Sequence, residues 1–141
     1  MTNDSIFSLA NFGAMAGWLL LALAPLRRGP IILAARAVGA VLAVLYTGFI
    51  LPALTGGAPM DFTKLDGLAA SFSNPSVMLV GWIHYLAFDL WVGAWEAEVA
   101  PRWGVPHWAL LPCLFLTFMF GPMGLLLFLI VAGVFRLVRK A

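Results

Sequence analysis

Charged residues are scarce in this chain. Lys, Arg, Asp and Glu make up only 10% of its 141 residues, whereas 63% are hydrophobic. Soluble domains carry about 25% charged residues, so this composition excludes an ordinary soluble domain. The net charge of +2 is small, and basic residues at the ends of apolar segments are typical of contact with lipid headgroups and not with nucleic acid. We therefore predict a single integral membrane domain over residues 1–141, with the lipid bilayer as a partner.

Cysteine and histidine are scarcer still, and this limits the chemistry that the chain can perform. Cys113 is the only cysteine, and His84 and His107 are the only histidines. One thiol cannot form an intrachain disulfide or a metal cluster. Two histidines are too few for the histidine-rich sites of membrane di-iron enzymes. The sequence also lacks a glycine-rich phosphate loop and a serine nucleophile elbow, so we expect no metal site and no cofactor.

The long apolar runs predict the membrane-spanning helices. A helix needs about 20 apolar residues to cross the hydrocarbon core, and four runs qualify, at about residues 6–26, 31–54, 76–97 and 108–138. The last is long and is interrupted by Gly121-Pro122, which predicts a kink or a partly unwound turn. The alternative, two separate spans of about 16 residues each, is short for a bilayer.

A more polar segment separates the second and third runs. Phe62, Leu65, Leu68 and Phe72 recur there at helical spacing, which predicts a short amphipathic helix lying on the membrane surface. A disordered loop is the alternative. The predicted fold is therefore an all-α membrane protein, a four-transmembrane-helix bundle with a short amphipathic surface helix between helices two and three.

The basic residues give conflicting indications of topology. The N-terminus lacks the basic region of a signal peptide, so we interpret the first run as a retained helix; without a plastid transit peptide, we expect a bacterial inner-membrane protein. Arg27 and Arg28 place the first loop in the cytoplasm. Four spans then put Arg136, Arg139 and Lys140 outside, against the rule. Either the last segment re-enters the membrane at its glycine–proline step, or the first loop dominates; we favour four spans with both termini outside.

The third run carries ionisable residues, which are costly within a membrane unless they are paired, hydrated or functional. His84 and Asp89 lie well inside it, and Glu96 lies at its end. An aromatic cleft with few polar groups suits a large apolar ligand that carries one or two oxygens. At about 100° per residue, two neighbouring stripes form: His84, Phe88, Trp91 and Trp95 on one, and Trp82, Tyr85, Asp89, Val92 and Glu96 on the other.

These polar residues also have structural interpretations. Asp89 and Arg36 fall at similar membrane depths on antiparallel spans, so they are expected to pair, and such a pair can coexist with a function. His84 can be a neutral imidazole that hydrogen-bonds to a neighbouring helix. A solvated helix end is the interpretation for three further residues, Glu96, Glu98 and Arg102.

Two sequence segments carry a family resemblance. They are WIHYLAFD at residues 82–89 and GPMG at residues 121–124. In this order, and over roughly residues 60–130, the chain resembles the family of small membrane proteins named after the plant abscisic-acid-deficient-4 protein. The resemblance implies a four-helix membrane protein. In plants the named member is required for converting violaxanthin to neoxanthin, an epoxide-to-allenic-alcohol isomerisation.

The resemblance implies a function in carotenoid or isoprenoid metabolism, as a redox-neutral isomerase with an apolar isoprenoid or carotenoid ligand. Asp89 would be the acid and His84 the base, although about 140° separates them around the helix. The alternative is a non-catalytic accessory subunit of a larger photosynthetic or respiratory complex that holds pigment, and a homo-oligomer is also left open. The residues implied to bind substrate are Arg36, Trp82, Tyr85, Phe88, Trp91 and Phe120.

Overall fold

The computed structural model describes residues 2–55 and 63–139, and every regular element among them is an α-helix. Glu96 and Thr117 are the polar or charged side chains that are buried there, so the interior of the bundle is almost wholly apolar. In chain order the helices are α1 (Asn3–Ala22), α2 (Arg28–Thr55), α3 (Leu65–Phe72), α4 (Pro75–Val99), α5 (His107–Phe120) and α6 (Pro122–Val138).

Three helices, α1, α2 and α4, are long and apolar enough to cross a membrane, as the first three apolar runs predict. Local signals begin two of them: the Thr2 hydroxyl caps α1, and the Asn74 side chain accepts a hydrogen bond from the Ser76 amide while Pro75 occupies the first turn of α4. Helix α4 is the centre of the bundle because it packs against each of the other five helices.

The fourth predicted span is two short antiparallel helices, so the count of four spans is not confirmed. Helix α5 has 14 residues and α6 has 17, or about 21 and 26 Å, less than a bilayer core of about 30 Å. The chain reverses between them, since the Trp108 and Phe135 rings lie 6.3 Å apart and the Arg136 guanidinium lies 5.4 Å from the centre of the Trp103 ring. We call this pair the α5–α6 hairpin; its tip lies beside the middle of α4.

The hairpin corrects the predicted topology. The Arg28 guanidinium donates to the Ala97 carbonyl at 2.6 Å, so α2 begins where α4 ends, and Arg139 lies beside Gly104 at the same end. The other end holds Asn3, which donates to Ser76 at 3.1 Å. The two ends of the described chain, Thr2 and Arg139, therefore lie at opposite ends of the bundle, not on one side. The basic residues of the first loop and of α6 share an end, which the positive-inside rule assigns to the cytoplasm.

The predicted surface helix is α3, which packs on α4 through Phe72. A Cβ atom at Gly81 would lie 2.5 Å from the Phe72 ring, so the two helices meet closely there. Leu65 remains 81% exposed. Phe62 of the predicted surface helix lies outside the described residues. Lys140, named in the predicted topology, also lies outside them.

Candidate functional site

Asp89 lies on α4 directly beside the tip of the hairpin. Gly121 joins α5 to α6 with a φ of +44°, a backbone conformation that favours glycine. A Cβ atom at this position would lie 2.8 Å from Asp89 Oδ1 and 3.0 Å from Oδ2. Glycine is thus required both by the turn and by the carboxyl group. Asp89 Oδ2 is buried and has no hydrogen-bond partner in the described part of the chain.

Tyr85 lies one helical turn before Asp89 on the same face of α4, and it also contacts the hairpin. Its hydroxyl group donates towards the carbonyl oxygens of Phe118 and Met119, at 3.4 and 3.2 Å. These carbonyls belong to the last turn of α5, which has no intrahelical donors for them. Trp82 stacks on the Tyr85 ring with centroids 5.4 Å apart. Tyr85 therefore fixes the position of the hairpin tip relative to Asp89.

Glu96 is fully buried, so its interpretation as part of a solvated helix end is wrong. The Thr117 hydroxyl of α5 donates to Glu96 Oε1 at 2.9 Å, while Oε2 has no partner among the described residues. Gly124 of α6 packs closely against the same threonine, because a Cβ atom at Gly124 would lie 2.0 Å from the Thr117 amide nitrogen. The three residues bring α4, α5 and α6 together. Helical periodicity places Glu96 on the Asp89 stripe, and this was the signal that it faces the bundle.

Arg36 does not pair with Asp89. Its guanidinium forms an ion pair with Glu98 and lies 5.7 Å from the centre of the Trp91 ring. The pair was predicted because Arg36 and Asp89 lie at similar depths along their helices. It does not form because their side chains point in different directions. Because Asp89 points at the hairpin, it faces away from α2. Glu98 and Arg102, which are 3.5 Å apart, do lie at the partly exposed end of α4 as predicted.

His84 is exposed on a different face of α4 from Asp89. Its ring stacks on Phe88 with centroids 4.6 Å apart and meets Tyr46 of α2 edge-on at 5.3 Å. The predicted hydrogen bond from the His84 imidazole to a neighbouring helix is not present among the described residues. The structure therefore does not bring His84 and Asp89 to one point, and Tyr46 is a neighbour of the imidazole that the sequence did not identify.

An apolar groove of about 410 Å³ runs between α4 and α6. It begins one turn from Gly121, at Leu125, and its α4 side starts at Phe88, the residue before Asp89. Two of the residues predicted to bind substrate, Phe88 and Trp91, line this groove, whereas Phe120 is exposed at the hairpin tip. An apolar wall beside a few polar groups is the usual form of a site for an apolar ligand. The residues that line the groove are Phe88, Trp91, Val92, Trp95, Leu125 and Leu129.

The comparison with known proteins identifies the family. The model of the ABA DEFICIENT 4-like family matches residues 5–128. The chain belongs to this family. The match begins in α1 and ends within α6. It therefore includes the first two long helices, which lie outside residues 60–130, the range over which the sequence resemblance was noted. No curated protein and no solved structure gives a significant match.

The two segments that carry the ABA DEFICIENT 4-like resemblance meet in space. Residues 82–89 supply Tyr85 and Asp89, and residues 121–124 supply the tip and the close helix contact of the hairpin. Within residues 2–55 and 63–139, no three His, Cys, Asp or Glu side chains form a group that could hold a metal ion. The Asp89 carboxyl group and the Tyr85 phenol lie beside the hairpin tip, and the apolar groove begins at Phe88, the residue before Asp89.

Proposed function

We propose that this protein takes up a carotenoid or related isoprenoid from the bilayer and isomerises it at the hairpin tip. The observation that supports this most directly is the position of Asp89. Its carboxyl group has an unpartnered oxygen, lies against Gly121, and neighbours the end of the apolar groove at Phe88. A polyene chain would lie along the aromatic groove while its oxygen-bearing end reaches the carboxyl group.

An epoxide-opening isomerisation requires two proton transfers and no electrons. One proton must reach the epoxide oxygen as its C–O bond breaks, and one must leave the vinylic carbon as the allene forms. Asp89 and Tyr85 share a face of α4, whereas His84 lies across Phe88 from Asp89. We therefore favour the two groups of this shared face: the Tyr85 phenol would donate its proton to the epoxide oxygen, and the Asp89 carboxylate would accept the proton that leaves the vinylic carbon. His84 would contact only the groove wall.

Pigment analysis tests the proposal. Carotenoids and other isoprenoids would be profiled by chromatography and mass spectrometry in a strain that lacks the gene and is complemented with each variant. We expect Asp89→Asn and Tyr85→Phe to lower conversion at least tenfold and His84→Ala to lower it less. Asp66→Asn is the matched control, because Asp66 is an exposed acid on α3. An isoprenoid profile that deletion leaves unchanged contradicts an enzymatic role.

A second candidate function is that of an accessory subunit in a larger membrane complex. It is favoured by a second apolar groove of about 440 Å³, where small residues of α1 and α2 would let another helix approach closely. If this function is correct, Asp89→Asn leaves pigment conversion intact, while bulky substitutions at Gly13 abolish co-purification with the complex. A purified monomer that converts a carotenoid alone excludes it. The residues lining this groove are Leu9, Ala10, Gly13, Ala37, Val38, Val41, Leu42 and Leu45.

A further inference from the structure

We propose that the cytoplasmic end of the bundle holds a phosphate group, and that in the membrane this group belongs to an anionic phospholipid. A pocket of about 310 Å³ lies between the first turns of α2 and the end of α4. Three arginines and one glutamate line it, so its charged side chains carry three positive charges against one negative. The lining residues are Arg28, Gly29, Ile32, Leu33, Arg36, Glu98 and Arg102.

The arginines have donors to spare. Arg28 donates from Nη1 to the Ala97 carbonyl at 2.6 Å, Arg36 pairs with Glu98, and Arg102 approaches the same carboxylate at 3.5 Å. A guanidinium has five N–H donors, and these contacts occupy a single terminal nitrogen of each arginine. One carboxylate is therefore shared between two arginines, and the pocket retains an excess of positive charge and of donors that suits phosphate oxygens.

The start of α2 adds to this preference for an anion. The amides of Arg28 and Gly29 in its first turn have no carbonyl partners within the helix, and the helix dipole places positive charge there. This backbone contribution would not carry the inference alone, but it coincides with the three side chains. Helix N-termini with basic side chains nearby are favourable sites for phosphate.

The position in the membrane identifies the source of the phosphate group. The pocket lies at the end of the bundle that carries the basic residues, which the positive-inside rule would place at the cytoplasmic headgroups. Its α2 wall also includes Ile32 and Leu33, which would contact the glycerol and the first methylenes of a lipid. Basic pockets between membrane helices on this side are suited to anionic headgroups.

Lipid binding to the purified full chain tests the site. Native mass spectrometry would measure the affinity for phosphatidylglycerol and for phosphatidylcholine, and calorimetry would measure inorganic phosphate. We expect phosphatidylglycerol to bind at least tenfold more tightly than phosphatidylcholine. Arg28→Gln and Arg102→Gln should each weaken binding about fivefold, the loss expected for one arginine near an anionic surface.

Two further variants separate this site from general surface charge. Glu98→Gln should tighten phosphatidylglycerol binding, because it removes the carboxylate that competes for two arginines. Arg139→Gln, at the same end of the bundle but outside the pocket, should change it less than twofold. Arg102 is 71% exposed, so its substitution leaves the fold intact even if Arg28→Gln impairs folding.

The outcomes assign the source or reject the site. Selective and arginine-dependent binding of phosphatidylglycerol supports a lipid site. Arginine-dependent binding of inorganic phosphate without lipid selectivity supports the phosphate site with a soluble source. Equal affinity for both lipids, unchanged by these variants and without phosphate binding, overturns the inference. None of these outcomes depends on pigment chemistry, so the proposed function stands or falls separately.

Discussion

Replacing Thr117 by valine tests whether the α5–α6 hairpin is held to α4 by its buried hydrogen bond. The Thr117 hydroxyl donates to Glu96 Oε1 at 2.9 Å, and both side chains are fully buried. Valine has nearly the shape of threonine, so the packing against Gly124 is retained while the donor is lost. Because Glu96 Oε2 already lacks a partner in the described residues, the variant leaves the carboxyl group without a hydrogen bond there.

Two magnitudes bound the expected destabilisation. Hydrogen bonds between membrane helices contribute about 0.6 kcal/mol on average and at most about 1.7 kcal/mol, and an unsatisfied buried polar group costs about 1–3 kcal/mol. Because Glu96 is fully buried and would lose its partner, we expect Thr117→Val to lower the free energy of unfolding by about 1–2 kcal/mol. For a chain of this size each kcal/mol corresponds to about 2–4 °C, so the apparent Tm should fall by about 2–8 °C.

Tryptophan fluorescence during thermal unfolding in detergent, at one scan rate, measures this shift. Thr47→Val is the control, because the Thr47 hydroxyl is exposed and donates within its own helix to Ala43 at 2.8 Å. The comparison should be repeated in a Glu96→Leu background, where Thr117→Val should cost little because the bond is already absent. An equal loss of stability in both backgrounds, or none beyond the Thr47 control, would refute the reasoning and assign the contact to apolar packing alone.

Two further predictions concern the hairpin. Gly124→Ala places a Cβ atom 2.0 Å from the Thr117 amide nitrogen, so we expect a loss of monodisperse protein in gel filtration that Gly133→Ala, with nothing within 4 Å, does not show; equal yields would contradict the close contact. In a background without the native cysteine, Arg139→Cys should react with a membrane-impermeant maleimide from the cytoplasmic side and Ser5→Cys from the other side, whereas labelling from one side would exclude the hairpin.

Apolar run length predicted the spanning helices but not the path of the last segment. The runs at residues 6–26, 31–54 and 76–97 correspond closely to α1, α2 and α4. Hydropathy reports how apolar a segment is and carries no information on its direction. The predicted break at Gly121-Pro122 is correct, but the full reversal also depends on Gly124 packing against Thr117. That contact is between helices and has no signature in either helix alone.

Helical periodicity predicted which polar residues share a face of α4, but not what covers that face. Tyr85, Asp89 and Glu96 were grouped correctly, and the structure shows that the hairpin lies over all three. The Arg36–Asp89 pair failed because equal depth in the membrane does not make two side chains point at each other. Periodicity around both helices, and not depth alone, would have been needed to favour Glu98 as the partner.

The hairpin also explains why two acidic residues on one face of α4 have different surroundings. Glu96 lies under the body of the hairpin, where Thr117 occupies one oxygen and no surface is exposed, so it can fix the helices together but cannot reach a ligand. Asp89 lies at the tip of the hairpin and is only partly buried, and the residue before it, Phe88, lines the groove. The hairpin therefore buries Glu96 completely and leaves Asp89 partly exposed at its tip.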